Sequence, residues 1–252
     1  MPESVVLLHG FAGTRRAWDG VLERLDPERY LSLALDLPGH GLAFDAPAPI
    51  TFAACVQSVL ALAPASFALC GYSLGGRVAL QVALAAPERV SALVLVSTSA
   101  GIEDPGQRAA RRESDGLLAR ELEERPFERF LERWRGQPLF ADEPARVREL
   151  ARADQLRNRP RALAAVLRGL GTGEMEPLWD RLAELEMPVA VAVGKRDEKF
   201  LVLGERMAAA LPRGRLHVLP GGHRLPLESP AELARVIDGA TDRPQRRTGR
   251  AR

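Results

Sequence analysis

Six short apolar runs, each bounded by turn residues, constrain this 252-residue chain more than any other feature. They fall at residues 5–9, 31–36, 67–72, 92–97, 189–194 and 216–219. Most are apolar at nearly every position rather than at alternate ones, which is the pattern of strands covered on both faces. Between them, helical periods occupy 15–24, 52–62, 75–85, 204–211 and 231–237. Strand and helix in alternation predict an α/β fold, a mostly parallel sheet flanked by crossover helices.

The alternation fails in one place. From about 104 to 180 no strand pattern occurs, and helical periods follow one another at 107–123, 127–135, 144–156 and 160–170. A helical insertion between two strands of one sheet predicts a cap over the mouth of a site. The expected organisation is a core of residues 1–103 and 181–240, a cap of 104–180, and a tail of 241–252. That tail is polar, Arg-rich and aperiodic, and is expected to be disordered.

Composition narrows the partners. Apolar residues make up 46% of the chain, enough for a sizeable core, and no run approaches the length needed to span a bilayer. The start has no basic n-region or cleavage pattern, so no secretory signal is expected. The formal net charge is only +2, which predicts neither a nucleic-acid nor a membrane partner. Cys70 lies in an apolar run and reads as a buried thiol, which fits a reducing cytoplasm, the expected location. No segment has metal-ligand spacing. Oligomeric state leaves no signature.

Gly71-Tyr72-Ser73-Leu74-Gly75 follows one expected strand and opens one expected helix. In that context G-x-S-x-G is a nucleophile elbow, a turn so sharp that its flanking positions must be glycine. The helix N-terminus then aims free N–H groups at developing negative charge. His9-Gly10-Phe11 follows the first strand, so the backbone N–H groups of Phe11 and Leu74 are the expected oxyanion donors. The other reading of His9-Gly10 is an ordinary strand-end turn. An acid and then a base should follow the serine in chain order. Asp197 follows the fifth strand and His223 the sixth, both at strand C-terminal ends, where open α/β sheets bind ligands. His9, His40 and His217 fit the base less well. Asp36 rivals Asp197 but precedes the serine, and Asp197 also reads as a surface carboxylate beside Lys195 and Arg196.

With these residues the chain resembles the α/β-hydrolase superfamily from about Val5 to Ile237. Further pieces resemble the 2-succinyl-6-hydroxy-2,4-cyclohexadiene-1-carboxylate synthases, the pyruvate-eliminating enzymes of menaquinone biosynthesis. The widespread pieces are Leu8-His9-Gly10-Phe11-Ala12-Gly13 with Trp18, Asp36-Leu37-Pro38-Gly39-His40-Gly41, and the elbow through Arg77. The specific ones are Arg108 to Arg111 before Ser114-Asp115, Trp134 before Gln137-Pro138-Leu139-Phe140, Leu156-Arg157-Asn158, Leu167 to Gly173, and Asp197-Glu198-Lys199-Phe200. Three positions depart from the family pattern: Pro226 where a second histidine is frequent, Arg135 where some members have tyrosine, and Ala100 where proline is common.

The resemblance implies a substrate with three carboxylates, no metal or organic cofactor, and Arg77, Arg111, Arg157 and Lys199 as the cations that hold it. Tyr72 and Trp134 would line the same pocket. Guanidinium groups suit carboxylates through bidentate, charge-assisted bonds. Arg77 has its own argument. Four residues after Ser73, it leans back over the elbow and opposes the helix dipole, a cost that an anionic ligand or a local carboxylate would offset. For Arg111 and Arg157 the plainer reading is a solvated helix face, for Lys199 a surface charge, and for Trp134 cap packing. The implied reaction removes a ring proton with Ser73 as base and releases pyruvate. A carboxylesterase or C–C bond hydrolase with Ser73 as nucleophile is the alternative, and a non-catalytic module of the same fold is a third reading.

Overall fold

The computed structural model describes residues 2–242. Its six strands are β1 (Glu3–Leu8), β2 (Tyr30–Leu35), β3 (Phe67–Tyr72), β4 (Val90–Val96), β5 (Val189–Gly194) and β6 (Gly214–Leu219). They form one parallel sheet in the order β2-β1-β3-β4-β5-β6. The chain turns from β1 to one side for β2 and then crosses back to the other for β3. The sheet therefore opens a crevice beyond the C-terminal ends of β1 and β3, the usual ligand position in such sheets.

The near-continuous apolar runs are explained by two cores, one on each face. Along β1, Val6 and Leu8 enter one cluster while Val5 and Leu7 enter the other. Strand β3 alternates likewise, with Phe67 and Leu69 on one side and Ala68, Cys70 and Tyr72 on the other. The first face is covered by α2 (Phe52–Leu62), α3 (Leu74–Ala85) and α8 (Glu198–Ala210); the second by α1 (Asp19–Leu22) and α10 (Pro230–Thr241). Both cysteines are buried and free, and burial pushes the Cys55 thiol up to about 12.

Between β4 and β5 lie α4 (Pro105–Glu124), α5 (Phe127–Arg135), α6 (Ala145–Gln155) and α7 (Pro160–Leu170), with no strand among them. Their apolar faces meet in a third cluster of Leu122, Phe130, Leu131, Leu163 and Leu167, which also receives Ala12 from the turn after β1. This cap therefore packs onto the sheet's C-terminal edge. The short α9 (Leu225–Glu228) follows the last strand.

Two expectations need correction, and a third falls largely outside the described residues. The expected helix at 15–24 is a 3-10 turn, Arg15–Trp18, followed by the four-residue α1. Thr14 caps that turn through its side chain, and the buried Trp18 turns it onto the core. The helix expected at 204–211 begins six residues earlier, because Gly204 is not a start signal. A Cβ there would lie 2.7 Å from Val193 Cγ1, so the glycine lets α8 approach β5 closely. The expected tail 241–252 lies outside the described residues from 243 onward. Thr241 itself ends α10, its hydroxyl 2.7 Å from the Tyr30 hydroxyl. Among the described residues no helix is long and apolar enough to cross a membrane.

Candidate active site

Ser73 sits between β3 and α3 at φ 52° and ψ −108°, a strained backbone for a non-glycine residue. The chain can hold this conformation because its neighbours have no side chains. A Cβ on Gly71 would lie 2.4 Å from Gly75 O, and one on Gly75 would lie 2.3 Å from Leu8 O. Backbone bonds fix the elbow from β4: Ser73 N–H donates to Val96 C=O at 2.9 Å, and Thr98 Oγ1 donates to Ser73 C=O at 2.8 Å.

The loops after β5 and β6 bring two more side chains to Ser73. Lys195 N–H and Arg196 N–H donate to Leu219 C=O and Gly221 C=O at 2.8 and 2.9 Å, and Gly194 packs so closely on Gly222 that no Cβ fits. His223 Nδ1 lies 2.7 Å from Asp197 Oδ2, and His223 Nε2 lies 3.2 Å from Ser73 Oγ. All of His223 is buried, its ring against Phe200, Tyr72 and Phe140 with centroids 4.6, 5.5 and 5.9 Å away. Burial lowers its pKa below the usual histidine value, against the opposing pull of Asp197. At neutral pH the imidazole is therefore uncharged, with Nδ1–H directed to Asp197 and Nε2 free to accept from the serine. Burial also raises the Tyr72 phenol, which stays protonated.

The Phe11 and Leu74 N–H groups border the same space, and among the described residues neither donates to a protein acceptor. The other histidines have different duties. His9 Nε2 accepts from Leu37 N–H at 3.0 Å and its Nδ1 lies 2.8 Å from Gly10 C=O, so it ties β1 to the loop after β2. His40 Nε2 accepts from Ala12 N–H at 3.3 Å. Asp36 accepts from Arg15 N–H and Leu42 N–H, which makes it a turn-holding carboxylate far from the acid's role.

Ser73 opens onto a cavity of about 990 Å³ between sheet and cap, lined among others by Phe11, Tyr72, Leu74, Arg77, Arg111, Trp134, Lys199 and His223. Arg77 is buried, donates one bond to Leu170 C=O at 3.0 Å and stands over the Phe52 ring. Among the described residues no carboxylate pairs with it directly. Burial, with the charge of Arg111, pushes its pKa down to about 9, and Asp115 opposes this. Arg111 is half-exposed, its Nε 2.9 Å from both oxygens of the buried Asp115 one helical turn on. It is thus aimed by a partner and is not a solvated face. Trp134 meets Phe11 edge-on at 4.8 Å, and Lys199 is exposed at the mouth.

Arg157 is not brought to the cavity. It is exposed beyond the end of α6, and its neighbour Asn158 is the buried residue there. Sequence reasoning also missed Arg224, which lines the cavity directly after His223. It lies over the Phe140 ring at 4.0 Å and forms a buried ion pair with Glu143 at 2.5 Å. Charge holds this pair more than hydrogen-bond geometry does, since both Glu143 oxygens and Arg224 Nη2 lack well-aligned partners. The one available signal was adjacency to His223, and in so Arg-rich a chain it did not stand out.

The Alpha/beta hydrolase family matches residues 5–236. The chain belongs to this family. As an α/β-hydrolase-superfamily enzyme it is 35% identical over 246 residues to a Bacillus subtilis (strain 168) protein named "Putative 2-succinyl-6-hydroxy-2,4-cyclohexadiene-1-carboxylate synthase", covering 93% of this chain and 89% of that one. It is 33% identical over 243 residues to the synthase of the same name from Salmonella agona (strain SL483), covering 93% of each. Among solved α/β-hydrolase structures, MenH from S. aureus superposes with a TM-score of 0.87 at 31% identity, over 94% of this chain and 92% of that one.

Proposed function

We propose that this α/β-hydrolase eliminates pyruvate from 2-succinyl-5-enolpyruvyl-6-hydroxy-3-cyclohexene-1-carboxylate, giving 2-succinyl-6-hydroxy-2,4-cyclohexadiene-1-carboxylate in menaquinone biosynthesis. The observation that carries this reading is Arg77. A buried guanidinium one helical turn from Ser73, in the triad's own cavity and with no directly paired carboxylate among the described residues, calls for an anionic ligand to complete it. The names of the relatives support the same product.

In this mechanism Ser73, Asp197 and His223 act as a triad with the serine as base. His223 Nε2 takes the Ser73 proton as Ser73 Oγ takes one from the ring carbon beside the succinyl ketone. Asp197 holds the imidazole tautomer and stabilises the imidazolium. The enolate oxygen forms at the ketone, where the Phe11 and Leu74 N–H groups meet it. Collapse of the enolate forms the conjugated diene and expels enolpyruvate, which takes up the proton held on His223 to become pyruvate and leaves the imidazole neutral again. Arg77 and Arg111 grip carboxylates inside the cavity, Lys199 attracts them at its mouth, and Tyr72 and Trp134 wall the ring.

The test is pyruvate release from the enzymatically prepared substrate, followed with diene absorbance and corrected for spontaneous loss. Acceleration by the native protein and its absence in Ser73→Ala are expected. No acceleration, with p-nitrophenyl ester turnover intact, would replace the lyase by a hydrolase using Ser73 as nucleophile.

A further inference from the structure

The turn after β1 is held by more than its own strand. Ala12 adopts φ +58°, uncommon for a residue with a Cβ, so its conformation depends on what grips it. Its N–H donates to His40 Nε2, and its C=O accepts from Asn158 Nδ2 at 2.9 Å. Two residues earlier, Gly10 C=O accepts from Gly13 N–H at 3.1 Å and from the adjacent His9 Nδ1. In a trans peptide the N–H points opposite to the C=O, so fixing Gly10 C=O aims Phe11 N–H. Every contact that holds Ala12 therefore helps to aim the amide beside it.

His9 and His40 belong to the sheet's own loops. Asn158 does not, because it lies in the cap between α6 and α7. It is buried, and both polar atoms of its amide are engaged: Nδ2 also donates to Gln155 C=O at 3.2 Å, and Oδ1 accepts from Gly41 N–H at 3.0 Å. Four residues back, Asp154 accepts from Thr14 N–H at 2.8 Å and from the Thr14 hydroxyl. The end of α6 thus grips the turn at Ala12 and at Thr14.

We propose that Asn158 is a positioning residue which sets the Phe11 amide, so that this donor is correctly aimed only while the cap is seated. The proposal rests on the assignment of Phe11 N–H to the oxyanion hole made above. Packing alone gives no reason for an amide here, since an apolar side chain of that volume would fill the space; what the amide adds is its three bonds to backbone.

The test compares Asn158→Asp and Asn158→Ala with Val147→Ala. The first keeps shape and the acceptor for Gly41 N–H but loses the donor to Ala12 C=O. The last trims apolar packing elsewhere on α6 and leaves the Asn158 bonds in place to keep the cap seated. Two readouts are needed: kcat and KM for pyruvate release, and the Kd of phenylboronic acid, whose tetrahedral adduct on Ser73 places an oxygen at the oxyanion donors. Both Asn158 variants are expected to lose at least about tenfold in kcat and in boronate affinity, with KM within about twofold, while Val147→Ala keeps kcat within about twofold. Unchanged kcat and boronate affinity in both Asn158 variants would overturn the proposal. So would an equal kcat loss in Val147→Ala, or a rise in KM alone. If the native protein releases no pyruvate, the lyase reading fails and the boronate arm decides this one separately.

Discussion

At Arg77 the positive charge is buried one turn from the serine, held by a single carbonyl and an aromatic face. Replacing it with methionine removes the charge and keeps most of the volume. For the tricarboxylate, kcat/KM is expected to fall by about 100-fold, or roughly 2.7 kcal/mol, while a neutral p-nitrophenyl ester loses less than about threefold. Equal losses on both substrates would remove carboxylate binding from its role. His223 supplies a second expectation. Its pKa lies below the usual 6.5 because it is buried, and the base must be neutral. Activity should hold through pH 6.5 and fall only in more acid solution, as a pH profile of kcat/KM would reveal. A midpoint above 6.5 would contradict the buried neutral imidazole.

Among the elements, the two fastenings of the cap are the informative part. Glu143, just before α6, and Arg224, just after His223, form an ion pair with side chains only 3% and 9% exposed. Burial raises the Glu143 pKa, and the charge of Arg224 opposes this. Glu143→Ala leaves a buried guanidinium alone, which should cost about 3–5 kcal/mol, or roughly 6–20 °C in Tm. The double variant Glu143→Leu with Arg224→Met should recover most of that loss, and a melting curve for each decides it. No recovery would mean that the pair adds nothing beyond its separate residues.

The elements also explain what the sequence made legible. Ser73, Asp197 and His223 each follow a strand, and strand ends are visible as the close of an apolar run. Their convergence follows from a parallel sheet, whose C-terminal ends all face one way. Arg157, expected in the pocket by resemblance alone, is exposed, and the sequence hid this for the opposite reason. Helix α6 ends at Gln155, and beyond it no period says which of 156, 157 or 158 faces inward. Gly204 misled similarly, because a glycine that admits a neighbouring strand is spelled the same way as one that begins a helix. Pairings across long sequence separations, such as Glu143 with Arg224 or Asn158 with Ala12, leave no local pattern at all.

For the molecule as a whole, acid should be the vulnerable direction. His9 and His40 are fully buried, and each accepts a backbone N–H on Nε2, which a protonated ring cannot do. Burial lowers the pKa of both, His40 well below 6.5. The unfolded chain therefore binds more protons than the folded one below pH 6.5, so their contribution is complete above that value and declines as pH falls towards the folded values. The slope is about 1.4 kcal/mol per pH unit for each histidine still neutral in the folded state. Urea unfolding from pH 8 to 5 should be flat at first and then weaken. A midpoint unchanged to pH 5 would refute this account of the two rings.

The cap leaves the sheet after β4 and returns to it at β5, and these strands are paired neighbours, Leu93 beside Val189 and Val96 beside Ala192. Entry and exit of the insertion meet where Leu178 N–H donates to Ala100 C=O at 2.7 Å, and the sheet closes below that contact whatever length of chain runs between them. The insertion point acts as a socket. A lineage can exchange the plugged-in helices for others, and so trade one clientele of substrates for another, without disturbing the register below. The clasp at Asn158 sets the condition on such an exchange: a replacement must bring its own hand to hold the turn after β1.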